Sequence, residues 1–233
     1  MFCPRRDQIL EIGKSGLLFA MLLSDTNDRA DDHLKGFDDY AAVPPFLGRV
    51  LEIGCGPWTQ SQFMIDKLRP HLVIDDVTLW EPNAFEYMGQ VPTCAYKSGQ
   101  LMQLKTHVVA QGAETLDRRH EFDTVVLINV LEHVRDVYQI LQAVWDALKP
   151  GGTLVFNDKW WDHFNASTPV GTESFEALDH LYHPIRCHRE VYEHFLSRFV
   201  TLYRLNDPPS ITKYGDLHGT YFVGMKPWHG LVG

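Results

Sequence analysis

Short apolar runs separated by amphipathic stretches dominate this chain. The runs Arg49–Ile53, Val77–Trp80, Thr106–Ala110, Phe122–Ile128 and Thr153–Phe156 read as strands. Their continuous apolar character suits strands covered on both faces of a parallel sheet. Between them, Gln60–Leu68, Ala84–Met88 and Tyr138–Leu148 read as helices, with Asn83 placed to cap the second. The third meets a stop signal at Lys149-Pro150-Gly151-Gly152. Alternating strands and helices predict an α/β fold with a doubly wound, mostly parallel sheet and helices on both faces. Arg189–Leu196 reads as a further helix, and Phe199–Leu205 and Thr220–Met225 as the last two of seven strands. At the start, Gln8–Leu23 reads as an amphipathic helix and Ser24–Lys35 as a polar loop or helix start.

At 233 residues, 45% of them hydrophobic and 22% charged, the chain has the size and balance of one well-cored domain. The formal net charge of -9 disfavours nucleic acid and anionic membrane surfaces as partners. Cys3, Cys55, Cys94 and Cys187 form no C-x-x-C pair, which suits a reducing compartment rather than a disulfide or zinc framework. Glu11 and Lys14 interrupt the apolar start, so no signal or membrane span is expected and the default placement is cytoplasmic. The oligomeric state is left open.

Chemistry concentrates where the first strand breaks, at Gly54-Cys55-Gly56. A strand, a glycine turn and a helix form a nucleotide-binding corner, because a turn without Cβ atoms lets a ligand approach the backbone. Thr59 stands where the last glycine of G-x-G-x-x-G belongs, which weakens the case for a nicotinamide or flavin enzyme. An acid ending the second strand suits a ribose, since a carboxylate accepts from both hydroxyls. Asp75, Asp76 and Glu81 compete for that role. Glu81 is favoured because Pro82 and Asn83 turn the chain directly after it, whereas the two aspartates are expected in the loop before the strand.

Five ordered segments carry a resemblance: V-L-E-I-G-C-G at 50–56, W-E-P-N at 80–83, Q-G-A-E at 111–114, F-D-T-V-V-L-I-N-V-L-E-H-V at 122–134, and L-K-P-G-G-T-L at 148–154. Together they resemble the class I S-adenosylmethionine-dependent methyltransferases, with a type 11/12-like methyltransferase domain. The resemblance implies a Rossmann-like fold and S-adenosylmethionine as methyl donor, leaving S-adenosylhomocysteine. It implies that Glu52, Gly54, Cys55 and Gly56 surround the methionine end and that Glu81, with Pro82 beside it, binds the ribose. Gly112, Ala113 and Glu114 edge the adenine, and Asn129 and Val130 lie under the sulfonium. Two positions depart from the family pattern. Trp58 replaces the third glycine of G-x-G-x-G, and Gly112 stands where Asp is common.

On this reading residues 1–233 form one domain. It comprises a helical cap (1–48), a cofactor-binding core (49–157), an acceptor-side insert and helix (158–198) and C-terminal strands (199–233). Methyl transfer is an in-line displacement whose main demand is positioning, with a base where the acceptor must lose a proton. His133, His163 and His183 are the candidates for acid–base work, and Tyr40, Trp160, Trp161 and Arg186 for holding the acceptor. Asn129 stands where some relatives place a metal-binding carboxylate, so no metal is expected. The expected activity is methyl transfer to oxygen or nitrogen of a small molecule of the sugar or secondary-metabolite type. The competing readings are a non-catalytic S-adenosylmethionine-binding protein and a nicotinamide-dependent oxidoreductase.

Overall fold

A computed structural model of the chain describes residues 30–68, 71–160, 187–212 and 218–228. Among them the elements run α1 (Ala30–Gly36), β1 (Phe46–Ile53), α2 (Gln60–Leu68), β2 (Val73–Trp80), α3 (Ala84–Gln90), β3 (Thr106–Val109) and β4 (Phe122–Ile128). Then come α4 (Val137–Ala147), β5 (Leu148–Trp160), α5 (Arg189–Leu196), β6 (Val200–Asn206), α6 (Pro209–Thr212) and β7 (His218–Met225).

The strands form one seven-stranded sheet in the order β3-β2-β1-β4-β5-β7-β6. The pairs among β1 to β5 are parallel, and β7 runs antiparallel between β5 and β6. Alternate residues of each central strand feed opposite faces. Leu51, Val125 and Leu154 pack with Ile140 and Val144 of α4 in one core. Val50, Val126 and Val155 pack with Met64 and Ile65 of α2 in the other. Two filled faces explain why these strands read as unbroken apolar runs rather than alternating ones. The strand order reverses between β1 and β4, so the crevice beyond their carboxyl ends is the natural ligand site of such a sheet.

Several local readings need correction. Asp75 and Asp76 do not lie in a loop; β2 begins at Val73 and contains both. Asp76 is held there by Arg49 of β1 at 3.4 Å, an ion pair between neighbouring strands that the sequence separation conceals. Asn83 sits at the start of α3, yet its side chain makes no capping bond. Instead, Glu81 Oε1 accepts from the Asn83 amide at 2.9 Å. The stop at 149–152 does end α4, but the chain is already extended from Leu148, which pairs with Phe122. Within the stretch Ser24–Lys35, read as a loop or helix start, the described part from Ala30 is helical. The predicted helix Gln8–Leu23 lies outside the described residues.

Candidate functional site

The glycine turn sits at the head of β1, in the crevice. Gly54 has φ of +65° and donates its amide to the Trp80 carbonyl at 2.9 Å, which locks the turn to the end of β2. A Cβ on Gly54 would lie 2.6 Å from Val130 Cγ2. Gly56 has φ of +56°, but a Cβ there would meet nothing within 4 Å. One glycine is therefore required by packing, and the other faces open space that a ligand can enter.

A loop beyond α3 clamps this turn from outside. Tyr96 donates its hydroxyl to the Gly56 carbonyl at 2.8 Å, and the Ala95 amide donates to the Pro57 carbonyl at 2.8 Å. Trp58 donates its indole N–H to Thr93 Oγ1 at 3.0 Å. Cys55 is buried beside the turn, and burial raises its thiol well above the usual range, so it is an inert packing group. Sequence reasoning missed this clamp, because Tyr96 comes forty residues after Gly56 and nothing local marks it.

Two carboxylates support the turn differently. Glu52 is 2% exposed and accepts from the amides of Gln60 (2.7 Å) and Ser61 (2.9 Å), so it caps α2 from the neighbouring strand. Burial pushes its carboxyl up to about 7, with the nearby Glu81 charge adding to the rise and the α2 amides opposing it. Glu81 stands at the end of β2, with Oε2 accepting from the Gly56 amide at 3.1 Å and Oε1 from Asn83. Asp76 lies five residues back along the strand, roughly 16 Å from that position, at the wrong end for the crevice. Pro82 follows Glu81 in the turn into α3.

Across the crevice, Trp80 donates its indole N–H to the Gly112 carbonyl at 3.1 Å. Ala113 is buried at the start of a single 3-10 turn, Ala113–Thr115. Glu114 Oε1 accepts from the Arg135 amide at 2.7 Å, tying this segment to the loop after β4. That loop begins at Asn129, in the left-handed region with φ of +54°. The Asn129 side-chain oxygen is buried and has no hydrogen-bond partner. Val130 packs against Gly54, and the amides of Val130 (3.1 Å) and Leu131 (2.9 Å) donate to Asp158 Oδ2 at the end of β5. His133 closes a 3-10 turn, half-buried, with its amide on the Val130 carbonyl at 3.0 Å.

Tyr40 is 1% exposed and packs in the second core, stacked on Phe37 at 5.0 Å between centroids. It ends three consecutive left-handed residues, Asp38, Asp39 and Tyr40, in which Asp39 is paired to Lys67 of α2 at 2.7 Å. Its hydroxyl is unpartnered, and burial, then the Glu52 charge, hold it far above the usual phenol range. Trp160 is fully buried, 6.1 Å from the Tyr192 ring and with Arg189 of α5 over its face, so it is a core side chain of β5. Trp161, His163, His183 and Arg186 lie outside the described residues. Among the described residues no three His, Cys, Asp or Glu side chains converge as a metal site. No described helix is long and apolar enough to cross a membrane.

The geometry fits a nucleoside carrying an amino acid. Open space lies in front of Gly56, a carboxylate stands beside it at Glu81, and the buried Asn129 oxygen in the loop that packs on Gly54 lacks a partner. A buried polar atom without a partner is expensive, and a bound ligand relieves it. Residues 22–206 match a family model described as a methyltransferase domain. The chain is 36% identical over 142 residues to a malonyl-[acyl-carrier protein] O-methyltransferase of Haemophilus ducreyi, covering 54% of this chain and 52% of the relative. It is 30% identical over 115 residues to a ubiquinone biosynthesis O-methyltransferase of Pseudomonas fluorescens, covering 47% and 43%. The chain thus spans about half the length of these curated relatives or less. Among solved structures, the N-methyltransferase NodS of Bradyrhizobium japonicum with S-adenosyl-l-homocysteine superposes at a TM-score of 0.57. It shares 18% identity, and the match covers 93% of this chain and 98% of that one.

Proposed function

Since this chain belongs to the methyltransferase-domain family and is a class I S-adenosylmethionine-dependent enzyme, we propose that it methylates oxygen or nitrogen of a small-molecule acceptor, of the sugar or secondary-metabolite type. The O-methyltransferase names of its curated relatives favour oxygen. The observation that carries the reading is the junction at the sheet's reversal point. Glu81 grips the Gly56 amide there, in the same crevice as the partnerless Asn129 oxygen.

S-adenosylmethionine, when bound, supplies a methyl group on a positively charged sulfur. This chain's own residues then have three tasks. Glu81 accepts the ribose hydroxyls, and its hold on Gly56 keeps the turn in shape. Gly112 and Ala113 edge the adenine, with Glu114 fixing their position through Arg135. The Asn129 oxygen and the Cys55 amide take the methionine end, between Gly54 and Gly56, whose own amides are held by Trp80 and Glu81. Val130 walls that end, and Glu52 acts on it indirectly, because both its oxygens already hold α2 amides. His133, half-buried one short turn beyond Val130, is the base for an acceptor hydroxyl. His163 and His183 are further candidates, and Trp161 and Arg186 belong with them to the acceptor-side segment within 158–198. Tyr40 is the cap-side candidate, a buried side chain packed on Phe37 whose hydroxyl feels the Glu52 charge. The acidic balance, and buried free thiols at Cys55, Cys94 and Cys187, support a cytoplasmic enzyme without nucleic-acid partners.

The test is calorimetric titration with S-adenosylhomocysteine, followed by labelled-methyl transfer onto a panel of hydroxylated and amino small molecules. Binding plus transfer supports the proposal. Binding with no transfer to any acceptor supports a non-catalytic binder instead. Tight NAD binding without S-adenosylhomocysteine binding would overturn the cofactor reading.

A further inference from the structure

We propose that Asp158 is a positioning residue that shapes the cofactor crevice from behind, by holding the amides of Val130 and Leu131. The inference rests on the cofactor reading above and adds a residue to it. Asp158 is wholly buried near the end of β5 and touches none of the groups assigned to the cofactor except through backbone. Its Oδ2 accepts from both amides, and Oδ1 accepts from the Lys159 amide at 2.8 Å. Those two N–H groups directly follow Asn129, the left-handed residue whose buried side-chain oxygen waits for a donor. Val130, in turn, is the side chain against Gly54. One carboxylate therefore sets both the floor under the sulfonium position and one wall of the glycine turn.

A carboxylate buried in this way is sensitive to its charge. Among the described residues, Glu132, Lys159, Cys187 and Tyr192 face it electrostatically. Glu132 is buried and paired with Lys159 Nζ at 3.1 Å, so a second negative charge sits beside Asp158. Burial first, then Glu132, push the Asp158 carboxyl up to about 7, against the pull of the Leu131 and Lys159 amides and the Lys159 charge. An ionised Asp158 accepts two amides on one oxygen with full charge, and a protonated one holds them more weakly. The loop should therefore loosen, and cofactor affinity fall, as pH drops through about 7. Glu52 also titrates near 7 in the same crevice, so the Asp158 share must be separated from it.

The separation uses the full chain and S-adenosylhomocysteine as probe, titrated by calorimetry from pH 5.5 to 8.5. Asp158→Asn should bind about 5–30-fold more weakly at pH 8, the scale of losing charge-assisted bonds, and should lose most of the acid-side decline. Glu132→Gln removes the neighbouring charge and should move the decline by about one unit to lower pH, a shift that the Glu52 share does not produce. A merely structural role would lower the unfolding temperature of Asp158→Asn and leave the pH dependence of binding in place, which overturns the proposal. An unmoved decline in Glu132→Gln overturns it too, and this variant decides the matter if Asp158→Asn does not fold. If wild-type chain binds no S-adenosylhomocysteine at any pH, it is the cofactor reading that fails.

Discussion

Glu81 accepts the Gly56 amide at 3.1 Å, so the acid ending one strand and the turn ending its neighbour are a single hydrogen-bonded unit. The carboxylate thus serves twice, as a support of the turn and as the proposed ribose acceptor. Glu81→Ala removes both, and S-adenosylhomocysteine affinity should fall by about 1–3 kcal/mol. Calorimetry on the folded variant checks this. Unchanged affinity would remove the acid from the site, and Asp75 and Asp76 offer no substitute, since both lie toward the start of β2.

The two glycines of the turn should fail in different ways. Gly54→Ala places a methyl 2.6 Å from Val130 Cγ2 at φ of +65°, and should lower folding stability by about 1–3 kcal/mol. Gly56→Ala meets no atom of the protein, so folding loses only the left-handed penalty of about 1–2 kcal/mol, while the new methyl enters the space proposed for the cofactor. Urea unfolding and S-adenosylhomocysteine titration on both variants give the comparison. Equal binding losses at matched stability would show that the space before Gly56 is not used.

Trp58 occupies the third glycine position without penalty because the chain does not turn left-handed there; Gly54 and Gly56 do, and Trp58 is not among the positive-φ residues. Its indole ties the turn to Thr93 and packs beside the second core. Trp58→Gly should therefore reduce stability by about 1 kcal/mol or more, with Trp58→Phe isolating the hydrogen bond. A tighter S-adenosylhomocysteine affinity in Trp58→Gly, with no loss of stability, would instead mark Trp58 as an obstruction at the site's mouth.

What could be read from the chain depended on whether the cause was local. Gln60–Leu68, Phe122–Ile128 and Arg189–Leu196 were legible to the residue, because apolar spacing and flanking turns suffice to define them. The early start of β5 was not, since Pro150-Gly151-Gly152 reads as a break, and only the pairing of Leu148 with Phe122 of β4 and the bonds of Gly151 and Gly152 to Lys226, just past β7, join it to the sheet. Glu81 was identifiable as a strand-end acid. The engagement of Glu52 with α2 amides, the Tyr96 clamp and the Asp158 anchor were not, because each joins residues that only the folded sheet brings together. Trp160 read as an acceptor contact because aromatics between polar groups mark pockets as well as cores, and its burial against Tyr192 places it in the core.

Glu52 makes stability depend on pH in a direction opposite to that of a salt-bridged acid. Its carboxyl is raised from 4.5 to about 7 in the folded chain, first by burial. The folded state therefore holds a proton that the unfolded state has released between those values. Stability from this group is fully present below the unfolded value and is lost as pH rises through about 7. The shift corresponds to roughly 2–4 kcal/mol. Asp158, raised from 3.8 to about 7, acts in the same sense. Glu193, lowered by Arg204, acts in the opposite sense but only in a window below 4.5. Between pH 5 and 7.5 the unfolding free energy from urea titration should fall as pH rises, and Glu52→Gln should flatten that slope by its share even if its absolute stability is lower. An identical slope in Glu52→Gln would mean that the folded chain carries Glu52 ionised throughout, with the α2 amides outweighing its burial.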